Sequence, residues 1–413
     1  MAGALVSTVT NVLKYRYLGP LQTQLNSEVL VAQLLGLDDK NIDLDGLKAV
    51  LPLHTNRSGG IGARLEDESL PAAGNQAYAQ AQFDLAYLYG RARFTGQAIQ
   101  KTKTDAGAFI RVVTDELDRL RDDLGVDLGR QFYGPGDAII ENTGVTSAST
   151  TVVLATNEAL TKGFLYIGQL IDIGTSANPV AIASARTITA YNLATPSIVI
   201  SGAAVTTAGT DRVFRAGNAA ASSVVKEIDA GLQKLVATAA NTVGGINAAS
   251  AGNEYWDNLR DTTGGAISLS ALMQNWNKAN AAGANPQEII AVTSPGLARR
   301  LFETADFKSL VQFVNTNEMK GGFDMISFGT TSGRVKLVAD RLAPWGKVFM
   351  LDKKHIKVFS PADWDFLQRD GLTIRWDADK DAFQAVLFRY VNLGTKRRNT
   401  SLVMSGLTDT SGF

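Results

Sequence analysis

Between residues 76 and 95 the chain reads QAYAQAQFDLAYLYGRARFT. Ala77, Ala79, Ala81, Phe83, Leu85, Tyr87 and Tyr89 fall on one parity, while Gln76, Tyr78, Gln80, Gln82 and Asp84 begin the other. Strict alternation of this kind marks a strand with one covered and one open face. Unbroken, at about 3.3 Å per residue, it would extend roughly 60 Å, several times the usual strand length. Such a strand overshoots a compact domain, so its apolar side needs a cover from elsewhere.

The preceding LPLHTNRSGGIGARLEDESLPAAGNQ places Pro71, Gly74 and Asn75 as turn residues between two extended runs. The two runs predict a long hairpin over residues 55–95. After it, Phe109, Val113, Leu117, Leu120, Leu124 and Leu128 recur at helical spacing, with Thr104 or Asp105 as N-cap and Asp115 four residues before Arg119. Residues 105–128 therefore predict a helix roughly 36 Å long at 1.5 Å per residue.

The first fifty residues hold short amphipathic pieces, VSTVTNVLKYRYLGPLQTQLN and SEVLVAQLLGL, interrupted by Gly19 and Pro20. Pieces this short are marginal as isolated helices and read as an arm that lies on something else. Residues 143–217 are rich in Thr, Ala, Ser, Val and Ile, with short β-type runs about ten residues apart, and predict an inserted all-β module. From Ser222 the chain returns to α/β. SSVVKEIDAGLQKLVATAANTV and SLSALMQNWNKANAAG read as helices, EIIAVT as a buried strand, and SPGLARRLFET as a helix with Ser294 as N-cap and Pro295 at its first position. RVKLVAD, KVFMLD, HIKVFS, LTIRW, AFQAVLFRYVNLG and TSLVMSG then read as strands.

Composition narrows the function class. With 413 residues, 45% hydrophobic and 19% charged, the chain can bury a core and form two or three globular units. Lys plus Arg equals Asp plus Glu at 40 each, without a run of like charge, which disfavours a nucleic-acid arm or a polybasic membrane patch. No cysteine occurs, so disulfides, thiolate metal sites and cysteine nucleophiles are excluded. No stretch of 18 apolar residues or signal-type leader is present, and folding in the cytosol is the default expectation.

A search for catalytic or ligand-binding chemistry finds no catalytic, cofactor or metal residues to name. His54 and His355, the two histidines, have no partners at triad or metal-ligand spacing. NIDLDG from Asn41 starts like a calcium loop but meets Pro52 where a bidentate Glu is needed. GGIGAR at 59–64 lacks the remaining residues of a dinucleotide or phosphate loop. Asp363, Asp365 and Asp370 read as a turn, with Trp364 and Phe366 packing inward and the acids solvated or paired with Arg369. GTKRRN at 394–399 reads as a solvated loop or subunit contact.

The order of these parts resembles the major capsid proteins of tailed bacteriophages, whose Hong Kong 97-type α+β fold is shared with encapsulins. LKYRYLGPLQTQLNSEVLVAQL is similar to the family's N-terminal arm, and LPLHTNRSGGIGARLEDESLPAAGNQAYAQAQFDLAYLYGRARFTGQAI to its extended loop. GAFIRVVTDELDRLRDDLGVDLGRQFYGPG resembles the spine helix, and NPQEIIAVTSPGLARRLFE the axial domain. LVADRLAPWGKVFMLDKKHIKVFSPADWDFLQRDG and AFQAVLFRYVNLGTKRRNTSLVMSGL resemble the strands that return to the peripheral domain. The resemblance implies an arm at 1–54, an extended loop at 55–96, a peripheral domain with its spine helix at 97–142, the β-rich insert at 143–217, an axial domain at 218–360 and returning strands at 361–413.

It further implies a non-enzymatic icosahedral head shell, built of pentamers and hexamers in the bacterial cytoplasm, enclosing double-stranded DNA without sequence-specific contacts. The implied partners are a separate scaffolding protein, a portal and a decoration protein, with no cofactor and no membrane. Phe83, Leu85, Tyr87, Tyr89, Arg91, Arg93, Arg64 and Glu66 are the expected subunit contacts. The chain departs from the family in two ways. No Lys lies between Lys48 and Lys101, so the isopeptide cross-link some members make from a hairpin lysine is not expected. No long helical scaffolding segment precedes the arm, and Met1 argues against prior trimming. Two other readings stay open: an encapsulin-like compartment for cargo protein, and an enzyme with a β-rich accessory domain.

Overall fold

The long alternation folds as two strands in different sheets. The computed structural model describes residues 29–38, 42–43, 48–95, 97, 106–220, 224–237, 242–285, 287–303, 312–313, 326–330, 333–362, 364–368, 374–376 and 380–409. Within them a short helix α1 (Leu30–Leu35) precedes β1 (Lys48–Asn56), β2 (Ala77–Asp84) and β3 (Ala86–Thr95). β1 and β2 pair antiparallel, Lys48 opposite Asp84 and Leu53 opposite Ala79, whereas β3 leaves that hairpin for another sheet. The predicted hairpin over 55–95 is thus corrected to β1 and β2 joined by the exposed residues 57–76.

The break sits at Leu85 and changes which parity is buried. Ala81, Phe83 and Leu85 are buried on odd positions, then Ala86, Gly90, Ala92 and Phe94 on even ones. A one-residue slip exchanges the two faces of a strand. The side-chain amide of Asn392 donates to the carbonyl of Asp84 at 2.6 Å, satisfying that oxygen where the chain changes sheets.

The helix α2 (Ala106–Tyr133) forms as its periodicity requires and continues beyond the predicted end at residue 128. Gly90 of β3 lies directly beneath it: a Cβ there would come within 2.6 Å of a Leu124 methyl, so the strand needs glycine to approach this closely.

The β-rich block begins slightly earlier than residue 143. Strands β4 (Ile139–Asn142), β5 (Thr151–Val153), β6 (Leu170–Gly174), β7 (Ala183–Asn192), β8 (Ser197–Ile200) and β9 (Arg212–Arg215) form one sheet in the order β4-β9-β6-β7-β8-β5. It has a core of its own around Val152, Ile171, Ile173, Ile198 and Val213. Lys162 Nζ donates to the carbonyl of Ala343, and Glu158 accepts from the backbone amide of Trp345, bracing this unit on the rest of the chain.

A second large sheet contains β10 (Ile289–Thr293), β11 (Gly333–Ala339), β12 (Val348–Asp352) and, at the far end of the chain, Leu402–Met404. α3 (Leu269–Ala281) packs on it, capped by the Ser268 hydroxyl, and α4 (Pro295–Glu303) follows β10. β10 is buried along its whole length, as a strand covered on both faces must be.

Residues 224–237 are not the predicted helix. They begin with a two-residue strand and hold only one π-turn, Gln233–Ala237. Glu227 is drawn onto Arg130 of α2, and the amide of Ile228 donates to the side chain of Gln131, which stretches the chain across the end of α2.

The third sheet is organised by β14 (Ala382–Thr395), which pairs with β3 along one edge and, beyond Val391, with β13 (Ile356–Phe359). Trp364 and Phe366 pack inward as expected. The first arm piece, and Asp363, Arg369 and Asp370, lie outside the described residues.

Candidate functional site

The chain presents two exposed features side by side in sequence. The first is the connection 57–76. Its arms touch backbone to backbone, since a Cβ on Gly74 would come within 2.7 Å of the Gly59 nitrogen. At its far end the turn is locked: the Leu65 amide donates to the Glu68 carboxylate at 2.9 Å, the Glu68 amide to the Leu65 carbonyl, and Arg64 Nε to the Ser69 carbonyl at 2.7 Å. Asp67 takes a left-handed φ of 67°, a conformation that Asp tolerates better than most residues. Ile61, Leu65 and Leu70 are 87%, 82% and 84% exposed, so none of the described residues covers them.

The second feature is the face of β3 turned away from α2. Tyr87, Tyr89, Arg91 and Arg93 are exposed there, opposite Tyr390, Phe388, Val386 and Gln384 of β14. Tyr87 meets Tyr390 edge-on at 4.9 Å between ring centroids, and Phe388 lies 5.3 Å from Tyr390. Partial burial, then the hydrogen bond with Tyr390, raises the Tyr89 phenol above its ordinary pKa.

Of the expected contacts, Arg64 and Glu66 lie on the loop, and Tyr87, Tyr89, Arg91 and Arg93 on this face. Phe83 and Leu85 do not belong with them. They are 2% and 5% exposed, and the Phe83 ring stacks on Phe359 of the same chain at 6.2 Å. The phase change at Leu85 is the reason. Sequence reasoning missed Phe388 and Tyr390; the available signal was that β14 is apolar on both parities, which requires two covers.

A cleft of about 1280 Å³ runs past Tyr87, Tyr89 and Leu85 to α2 and residues 215–245. Charges pair along it: Arg130 donates to Glu227 at 2.7 Å and lies 3.2 Å from Asp127, which Arg215 of β9 approaches at 3.1 Å. Burial opposes the Arg130 charge, but Glu227 and Asp127 hold the guanidinium above its usual pKa. Burial likewise works against the Asp127 carboxylate, yet Arg130 and Arg215 keep it below the usual range. For Glu227 burial wins and raises its pKa. The network is structural glue between α2, β9 and the extended stretch after it.

Nothing in these groups resembles catalytic chemistry. His54 Nε2 donates to the Gln76 side-chain oxygen at 2.6 Å, and His355 lies 3.8 Å from Asp352. Among the described residues no cluster of His, Cys, Asp or Glu is arranged to hold a metal, and no helix is long and apolar enough to cross a membrane.

Residues 214–399 match the model of the SU10 major capsid protein family. No curated protein matches the chain in sequence. Among solved structures, the chain is similar to the capsid asymmetric unit of cyanophage A-1(L), with a TM-score of 0.50 and 11% identity over 92% of this chain and 93% of that one. The capsid of a native GTA particle also overlays, with a TM-score of 0.49 and 9% identity over 92% and 91%. At 11% identity the cyanophage likeness establishes the fold.

Proposed function

We propose that this chain is a major capsid protein of the tailed-bacteriophage kind, a reading supported by the family match over residues 214–399 and by the capsid fold it shares with the cyanophage structure. Its place is the icosahedral head of the virion. In our reading each subunit lays residues 57–76 on a neighbour within pentamers and hexamers, and the Tyr87, Tyr89, Phe388 and Tyr390 face receives a neighbouring chain. Closed symmetry then repeats one contact over the whole shell. The observation that carries this is the exposure of Ile61, Leu65 and Leu70 on a loop whose turn is already ordered. An apolar patch held rigid in water is an interaction surface, and its pre-ordering lowers the entropic cost of association.

The lattice is non-covalent at the hairpin, since no lysine is available there. The role is structural, without catalytic turnover. Assembly takes place in the bacterial cytoplasm with separate scaffolding, portal and decoration proteins, around double-stranded DNA held without base contacts. Residues 139–215, braced through Lys162 and Arg215, act as an inserted module that stiffens the subunit. Substituting Ile61, Leu65 and Leu70 together by Gln tests the central step. Shell yield collapses on sedimentation while the subunit's Tm holds; shells formed at the wild-type level would refute it.

A further inference from the structure

A separate cleft of about 580 Å³ opens at the root of the hairpin, where β1 meets the end of β14 and Tyr255. His54, Asn56, Arg57, Lys396, Arg397 and Asn399 line it, and no carboxylate is among its lining residues. Its cations come from two distant parts of the chain and are exposed. Arg397 engages neutral acceptors, the Asn399 side chain at 2.9 Å and the Ala282 carbonyl at 2.6 Å. Arg398, between Arg397 and Asn399, turns the other way and is fully buried, donating to the carbonyls of Leu235, Trp256 and Lys234. The neighbouring His355 imidazole is held below its usual pKa, by burial first and then by Arg397, Lys354 and Lys396, against the pull of Asp352. Among the described residues that line the cleft, Arg57, Lys396 and Arg397 are basic and none is acidic, in a chain whose formal net charge is zero.

The complementary charge lies at the tip of residues 57–76. Glu66, Asp67 and Glu68 outnumber Arg64 there, and all are exposed. The Glu68 carboxylate is used to close the turn, which leaves Glu66 and Asp67 displayed at its apex. The loop's arms run side by side from Gly59 and Gly74 out to Gly62 and Pro71, so the acids stand at the opposite end of the loop from the cleft at its root. A contact between them joins two copies.

We propose that Glu66 and Asp67 of one copy dock into the basic cleft formed by Arg57, Lys396 and Arg397 of a second copy, setting the register in which loop and neighbour engage. The inference rests on the assembly reading above. The apolar side chains of the loop supply the attraction, and the charges select where it lands, because like charges placed opposite one another are strongly disfavoured.

A charge exchange tests it. Glu66→Lys with Asp67→Asn, the Asn keeping the left-handed turn accessible, is one variant; Arg57→Glu with Lys396→Glu is the other; the third carries all four. Each pair alone is expected to raise the protein concentration for half-maximal assembly about tenfold at 0.15 M salt, equivalent to about 1.4 kcal/mol, and the fourfold variant to recover most of it. Unchanged Tm for every variant confirms that the subunit is intact. Because the chain has no cysteine, Glu66→Cys with Lys396→Cys provides a check independent of charge: oxidised shells yield covalent ladders of subunits, and either single variant yields none. Losses that simply add in the fourfold variant, together with no ladder, would overturn the docking while wild-type shells keep the assembly reading standing. Normal assembly with weakened binding of duplex DNA by the Arg57→Glu, Lys396→Glu variant would also overturn it, assigning the cations to phosphate instead. A wild-type chain that forms no shells would overturn both.

Discussion

β2 and β3 are cut from one unbroken alternation, yet they lead opposite lives. In β2 the large apolar residue is the buried one: Phe83 stacks on Phe359 within its own chain. In β3 the large residues Tyr87 and Tyr89 face outward, and the buried positions are the small Ala86, Gly90 and Ala92 followed by Phe94 at the strand's far end. Burial follows the partner each strand is given. Among the described strands β2 pairs with β1 and takes its cover from β13 and β14, while β3 pairs with β14 and must leave room for a helix on its inner side. The tyrosine face is therefore left open by the subunit's own packing, which is why we propose it as the surface that receives a neighbour.

The largest effect that sharpens this contrast is Phe83→Ala. Removing a buried aromatic side chain costs about 3–5 kcal/mol in subunit stability, measured by urea unfolding. Gly90→Val comes next: branching beneath Leu124 and Leu120 is expected to cost about 1–3 kcal/mol as overpacking. Asn392→Ala strips the donor from the Asp84 carbonyl at the break, at about 1–2 kcal/mol, and loosens the phase change itself. Faster amide exchange confined to residues 82–88 is the signature to look for. Smallest in stability is Tyr87→Ser with Tyr89→Ser, expected to stay within about 1 kcal/mol of wild type for the pair. That pair should nonetheless reduce shell yield sharply. A loss of several kcal/mol there would mean that the tyrosine face belongs to the subunit's own fold, and the contrast would fail.

Much of this was legible in the sequence. α2 showed in its leucine spacing, α4 in Ser294 and Pro295 at its start, and β10 in a run of unbroken apolar residues. The change of sheet at Leu85 was hidden because tyrosines count as apolar in an alternation, so Tyr87 and Tyr89 continued a pattern that burial does not follow. The placement of Phe83 and Leu85 in the candidate interface failed for that reason. Residues 224–237 misled in another way. Their helical spacing is real, but Glu227 gains a buried guanidinium by leaving the helix, and that partner, Arg130, is 97 positions earlier. Of the basic cleft, GTKRRN at 394–399 showed in the sequence as a solvated loop or subunit contact, but its approach to Arg57 did not, since the two come together through the pairing of distant segments. Arg397 and Arg398 are adjacent in sequence and opposite in fate; burial pushes Arg398 down to about 10, while Arg397 stays at the surface.

The most direct test of the central claim is sedimentation with negative-stain microscopy of the wild-type chain beside one lacking residues 61–72, which retains the paired glycines at the loop's root. The account predicts closed shells from the wild type, and from the shortened chain folded subunits or capsomers with unchanged Tm that do not close. Shells of normal size from the shortened chain would contradict it.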